Sequence, residues 1–153
     1  DRTLLRTRIT AALDCLREQA GVDPGRIAAI GYCFGGLTVL ELARAGAEVR
    51  GIVSFHGLFS RQDDLPTATP MTSRVLLLHG WADPMVPPEH VTALAAELTA
   101  ARADWQLHAY GHAMHAFTNP NASDPDSGVQ YDAKADARSW AAMQAFLDEC
   151  FAD

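Results

Sequence analysis

Gly31-Tyr32-Cys33-Phe34-Gly35-Gly36 follows the apolar run Ile27-Ala28-Ala29-Ile30 and precedes Leu37-Thr38-Val39-Leu40-Glu41-Leu42-Ala43, a segment of helical character. A glycine–x–nucleophile–x–glycine turn at a strand-to-helix junction holds its central side chain on a strained backbone above a sheet. Here that side chain is the thiol of Cys33. Gly31 and Gly35 are expected to leave room for the turn to close. The motif points to acyl transfer, which needs an acid and then a histidine further along the chain.

Strands and helices alternate around this turn. Residues 3–20 read as a helix, with Leu5, Ile9, Ala12, Leu13, Leu16 and Ala20 near 3.6-residue spacing. Strands are expected at Arg26–Ile30, Gly51–Phe55, Arg74–His79 and Trp105–Tyr110, and helices at Gly35–Ala45, Pro88–Ala101 and 133–150. The third strand is apolar on both faces, as central parallel strands are. The last helix is expected to pack through Ala137, Trp140, Ala141, Met143, Phe146 and Leu147. Leu58–Thr72 and His112–Tyr131 read as loops, the first lying over the site. Strand–helix alternation implies crossover connections, hence a parallel α/β sheet flanked by helices in a single domain, 1–153.

The chain has 153 residues, 48% apolar and 20% charged, with a net charge of −7. That charge argues against nucleic acid or an anionic membrane as a partner. No apolar run reaches the ~18 residues of a membrane span. Cys15, Cys33 and Cys150 are an odd number at wide spacing with no C-x-x-C pair. They suit a reducing, cytoplasmic setting. No signal peptide is seen, and the chain begins Asp1-Arg2-Thr3 inside a helical pattern, as if an N-terminal part were missing.

Chemistry in a parallel sheet gathers at the carboxyl ends of its strands. Three stretches leave such ends: the Cys33 turn, His79-Gly80-Trp81-Ala82-Asp83-Pro84-Met85-Val86-Pro87, and Gly111-His112-Ala113-Met114-His115-Ala116-Phe117. Nucleophile, acid, histidine is the order of α/β-hydrolases. A thiol with a reference pKa of ~8.5 is mostly uncharged at neutral pH. A helix N-terminus favours the anion and an imidazole takes the proton. Asp83 would orient that imidazole, and His112 and His115 compete for the role of base. The Phe34 N–H, next after the nucleophile, is a candidate oxyanion donor. Trp81, Met85 and Phe117 are candidate pocket residues. His112-x-x-His115 has no acidic cluster to complete a metal site. His56, His79, His90 and His108 read as structural or surface residues, and Cys15 and Cys150 as helix-face cysteines.

These three stretches resemble the dienelactone hydrolase family of α/β-hydrolases. The matching residues are Ile30–Gly36, His79–Pro87 and Tyr110–Phe117, and the similarity runs from about residue 5 to the C-terminus. The resemblance selects His115 over His112. It implies a Cys33–His115–Asp83 triad without metal or organic cofactor, hydrolysing esters and lactones through a thioester. It also implies sheet strands, a second oxyanion N–H and an acidic residue near the resting cysteine, all upstream of this chain's first residue. The chain therefore looks like the C-terminal two-thirds of such an enzyme. Family members specific for dienelactone carry an Arg four residues after the histidine; this chain has Asn119, which cannot offer a guanidinium fork to a carboxylate.

The expected activity is broad hydrolysis of small carboxylic esters or lactones. A promiscuous phosphotriesterase using the same thiol is the second expectation, and a non-catalytic binding remnant with half an oxyanion hole the third. The expected partners are a small-molecule substrate and either the absent N-terminal segment or a second copy.

Overall fold

The computed structural model describes residues 1–62 and 64–152. Its elements are α1 (Arg2–Arg17), β1 (Ala28–Tyr32), α2 (Phe34–Arg44), β2 (Gly51–Phe55), β3 (Arg74–Gly80), α3 (Pro88–Ala100), β4 (Trp105–Tyr110), β5 (Ser123–Asp124), β6 (Val129–Gln130) and α4 (Ala133–Phe151). The four long strands form one parallel sheet in the order β1-β2-β3-β4. Among the described residues no helix is long and apolar enough to cross a membrane.

Alternation along the central strands assigns the two faces. Ile52, Val75 and Leu77 join Leu40, Leu42, Leu94 and Leu98 in one cluster, which places α1, α2 and α3 on that face. Val53, Phe55, Leu76 and Leu78 join Ala135, Met143, Phe146 and Cys150 in the other, which places α4 opposite. β3 is buried along nearly its whole length because helices cover both of its faces. β1 has a partner on one side only within this sheet, and Ile30 and Tyr32 are exposed.

Several expectations need correction. The first strand runs two residues further than the apolar run, so Gly31 and Tyr32 pair with Ser54 and Phe55. α1 stops at Arg17, short of residue 20, and Leu13 is its buried residue. α4 packs through Ala135, Ser139, Met143, Phe146 and Cys150, while Trp140 is exposed. The stripe is therefore rotated from the one read in sequence: the small Ser139 and Cys150 face the sheet in place of larger apolar residues. The loop 112–131 contains the β5–β6 hairpin, closed at Gly128, whose φ of 73° suits glycine.

The described part of the loop 58–72 does not lie over the site. The Ala68 N–H donates to Arg44 O, the Met71 N–H to Ala101 O and Arg6 Nη1 to Pro66 O, so the described part of the loop hangs on α1, α2 and α3. Beneath it, Glu41 and Arg44 are buried and ion-paired, with Arg2, Arg6 and Glu97 completing the cluster. Burying such charges is tolerable only because each is paired and hydrogen-bonded. The cluster ties three helices to one side of the sheet.

Candidate active site

The elbow begins with a packing constraint. A Cβ on Gly31 would strike the Gly35 carbonyl, and one on Gly36 would lie 2.6 Å from Ser54 Oγ and 2.9 Å from Gly57 Cα. A Cβ on Gly35 would meet nothing within 4 Å. The pair that lets the turn close is thus Gly31 and Gly36: the first admits the turn's own backbone, and the second lets α2 approach the end of β2. Gly35 contributes its carbonyl, not its lack of a side chain.

Between them Cys33 has φ 53° and ψ −116°, in a region that side-chain-bearing residues rarely occupy. Its N–H donates to Phe55 O at 3.0 Å, and the side chain is exposed. Phe34 opens α2. Its N–H therefore belongs to a first turn whose donors have no partner within the helix. The Phe34 ring is exposed.

The second stretch leaves β3 as a tight turn, with the Asp83 N–H donating to Gly80 O. Asp83 is buried. Its Oδ1 accepts from the Met85 N–H at 2.8 Å, and its Oδ2 lies 2.8 Å from His115 Nδ1. The turn thus fixes one carboxylate oxygen and aims the other.

The third stretch delivers His115, whose backbone is clamped by the hairpin. The His115 N–H donates to Gly128 O at 2.9 Å and the Gln130 N–H to His115 O at 3.1 Å. A Cβ on Gly128 would overlap Pro84, so the hairpin rests on the Asp83 turn. His115 Nε2 lies 3.0 Å from Cys33 Sγ. The hydrogen bond to Asp83, and then that to Cys33, overcome burial and push the His115 pKa up to about 9. An imidazole so held is a cation at neutral pH.

Cys33, Asp83, His115 and the Phe34 N–H therefore meet at the carboxyl end of the sheet. His112 is exposed and lies in another concavity, beside Lys134 and Arg138. Trp81 and Met85 are exposed on either side of Asp83. Phe117 is not a pocket-facing residue: it is fully buried, edge-on to His56 and Tyr110, and backs the site from the core. A cavity of about 480 Å³ lies away from the thiol, between Phe59–Arg61 and α3. Among the described residues no three His, Cys, Asp or Glu side chains gather as a metal site.

Sequence reasoning missed His56. It follows β2, is buried, and directs Nδ1 to the Cys33 N–H at 3.2 Å and Nε2 to Thr118 Oγ1 at 2.8 Å. Burial, and then the neighbouring His115, lower its pKa to about 4. A lone histidine after an apolar strand carries no spacing signal, so only the fold exposes it.

The dienelactone hydrolase family model matches residues 2–151. The chain belongs to the dienelactone hydrolase family. A Caenorhabditis elegans protein, K02A2.1, is 38% identical over 150 residues, covering 97% of this chain and 95% of that protein. The carboxymethylenebutenolidase homolog of Xenopus tropicalis is 26% identical over 123 residues, covering 80% of this chain and 48% of that one. The crystal structure of a dienelactone hydrolase-like promiscuous phosphotriesterase from metagenomic libraries aligns with a TM-score of 0.88 at 45% identity, over 98% of this chain and 63% of that one. The chain thus spans about half of the Xenopus relative and nearly all of the worm one.

Proposed function

We propose that this chain is a cysteine-dependent hydrolase of carboxylic esters or lactones that works through a thioester on Cys33. The observation that carries this reading is the continuous line from Cys33 Sγ to His115 Nε2 at 3.0 Å and from His115 Nδ1 to Asp83 Oδ2 at 2.8 Å. The attacking form is the ion pair, with the proton on His115 Nε2 and the negative charge on Cys33 Sγ. Sulfur attacks the acyl carbon, and the carbonyl electron pair moves to oxygen, which meets the Phe34 N–H. Collapse expels the alkoxide, which takes the Nε2 proton. Neutral His115 then removes a proton from water, hydroxide adds to the thioester, and collapse releases the acid and restores the ion pair. Asp83 holds the Nδ1–H and balances the cation.

Trp81 and Met85 would receive the apolar part of a small substrate. Asn119 uses Oδ1 to accept the Asn121 N–H at 3.0 Å, and its neutral amide supplies no positive charge to hold a substrate carboxylate. Neutral esters and lactones are therefore preferred over dienelactone. A second oxyanion donor would come from a further segment or a second copy beside the elbow. A reducing cytoplasm suits the three free thiols.

The test is turnover of p-nitrophenyl acetate and butyrate by the protein and by Cys33→Ala. Loss of on the order of 10³-fold or more is expected; equal turnover in the variant would sink the reading. The 45% identity to a promiscuous phosphotriesterase favours a second activity. Repeated, Cys33-dependent release of p-nitrophenol from paraoxon supports it, and a single stoichiometric burst counts against it. The non-catalytic alternative predicts alkylation of Cys33 with neither activity.

A further inference from the structure

Four non-glycine residues have positive φ among those described, and three of them gather here: Cys33 at 53°, His56 at 37° and Ala116 at 56°. Backbone held this way costs of order 1–3 kcal/mol per residue and persists only where its surroundings enforce it. Cys33 carries the candidate nucleophile and Ala116 follows the candidate base. His56 belongs to neither stretch, yet it is strained in the same way and touches both.

Its hydrogen bonds determine its chemical form. The Cys33 N–H is shared between Phe55 O at 3.0 Å and His56 Nδ1 at 3.2 Å; a backbone N–H can only donate, so that Nδ1 carries no proton. Neutral imidazole then has its proton on Nε2, which donates to Thr118 Oγ1 at 2.8 Å. Thr118 lies three residues beyond His115. The ring thus spans from the elbow to the histidine loop, 5.3 Å from the His115 ring and edge-on to Phe117 at 5.1 Å. Protonation would set a second donor against the Cys33 N–H and a cation against His115, so the clamp works only in the neutral form.

We infer that His56 is a positioning residue that clamps the Cys33 elbow to the loop carrying His115 and thereby sets the sulfur–imidazole contact. The inference rests on the reading of Cys33 and His115 as nucleophile and base. It goes beyond that reading by assigning the alignment of the pair to a third loop, after β2.

The experiment is the pH dependence of iodoacetamide alkylation, read at the Cys33 peptide by mass spectrometry so that Cys15 and Cys150 do not contribute. It needs no substrate, and so it separates this inference from the ester-hydrolase reading. Near pH 6, well below the ordinary thiol range, His56→Phe should react about 10-fold more slowly than the wild type, with its profile moved toward that of a free thiol. His56→Asn, which can again offer an acceptor to the Cys33 N–H, should recover part of the loss. Thr118→Val, which leaves the ring in place and removes its anchor, should slow the reaction about 3-fold and decides the matter if the Phe variant does not fold. Wild-type profiles in folded His56→Phe, or in Thr118→Val, would overturn the inference. A wild-type profile in His115→Ala would overturn the nucleophile–base reading and this inference with it.

Discussion

The loop after β4 and the loop after β2 each bring a buried histidine to the same few ångströms, and the two are tuned in opposite directions. His115 has a carboxylate on one nitrogen and a thiol on the other, and its pKa rises to about 9. His56 has a backbone N–H on one nitrogen and a hydroxyl on the other, and its pKa falls to about 4. Both are nearly inaccessible to solvent. Burial therefore does not set the charge of a histidine by itself: at His115 a carboxylate partner outweighs it, and at His56 it prevails, with the neighbouring His115 adding to it. The carboxylate makes one ring a proton donor, and two neutral partners make the other a fixed strut.

The strongest way to break the contrast is Asp83→Asn. With the carboxylate gone, His115 loses the largest cause of its raised pKa, and the amide also competes for the wrong tautomer. Ester turnover is expected to fall on the order of 10³–10⁴-fold. The alkaline limb of the remaining activity should move toward neutral pH. A variant with a wild-type pH profile would show that Asp83 does not govern His115.

Stability against pH should separate the two histidines next. His56 is charged below about 6.5 in the unfolded chain but only below about 4 in the folded one, so folding leaves it with fewer protons between those values. Its contribution is present above 6.5 and is lost as pH falls through 4, by up to roughly 3 kcal/mol. His115, Asp83, Tyr32 and Cys33 face the ring, and their own charges enter the measured total. Denaturant titrations of His56→Phe should show a flatter acid limb; an unchanged limb would remove His56 from the account. For His115 the sign reverses: its contribution is full below 6.5 and is lost as pH rises through about 9. That alkaline loss is expected to shrink in denaturant titrations of Asp83→Asn, which removes the largest cause of the raised pKa.

The smallest effect is expected at Phe117, which packs against His56 and not against the reacting atoms. Phe117→Leu should cost about 1–2 kcal/mol of stability. The alkylation profile of Cys33 should not change. A shifted profile would mean that the ring helps align the pair.

The central strands were readable because both of their faces are apolar, which a short unbroken apolar run displays directly. The elbow and the two loops after β3 and β4 were readable because each carries its chemistry within a few consecutive residues. What escaped the sequence depends on contacts between distant positions. Glu41 and Arg44 lie in a segment that reads simply as helix, and only the approach of α1 and α3 reveals them as a buried ion-paired cluster. Gly36 and Gly35 cannot be distinguished without knowing that Ser54 and Gly57 lie behind one of them. Trp140 fits an apolar stripe by spacing alone, and the face of α4 that meets the sheet is chosen by residues from β2 and β3. His56 is one histidine in an ordinary context until the Cys33 N–H and Thr118 are brought to it.

The β5–β6 hairpin carries no group of the proposed triad, yet it holds His115 by two backbone hydrogen bonds and rests on Pro84. Asp83 and His115 are thus gauged from a common rest, and Gly128 is its point of contact. In a selection for altered turnover, substitutions at and around residue 128 should appear among the winners and losers alike. They would change how far apart Asp83 and His115 stand while leaving both intact.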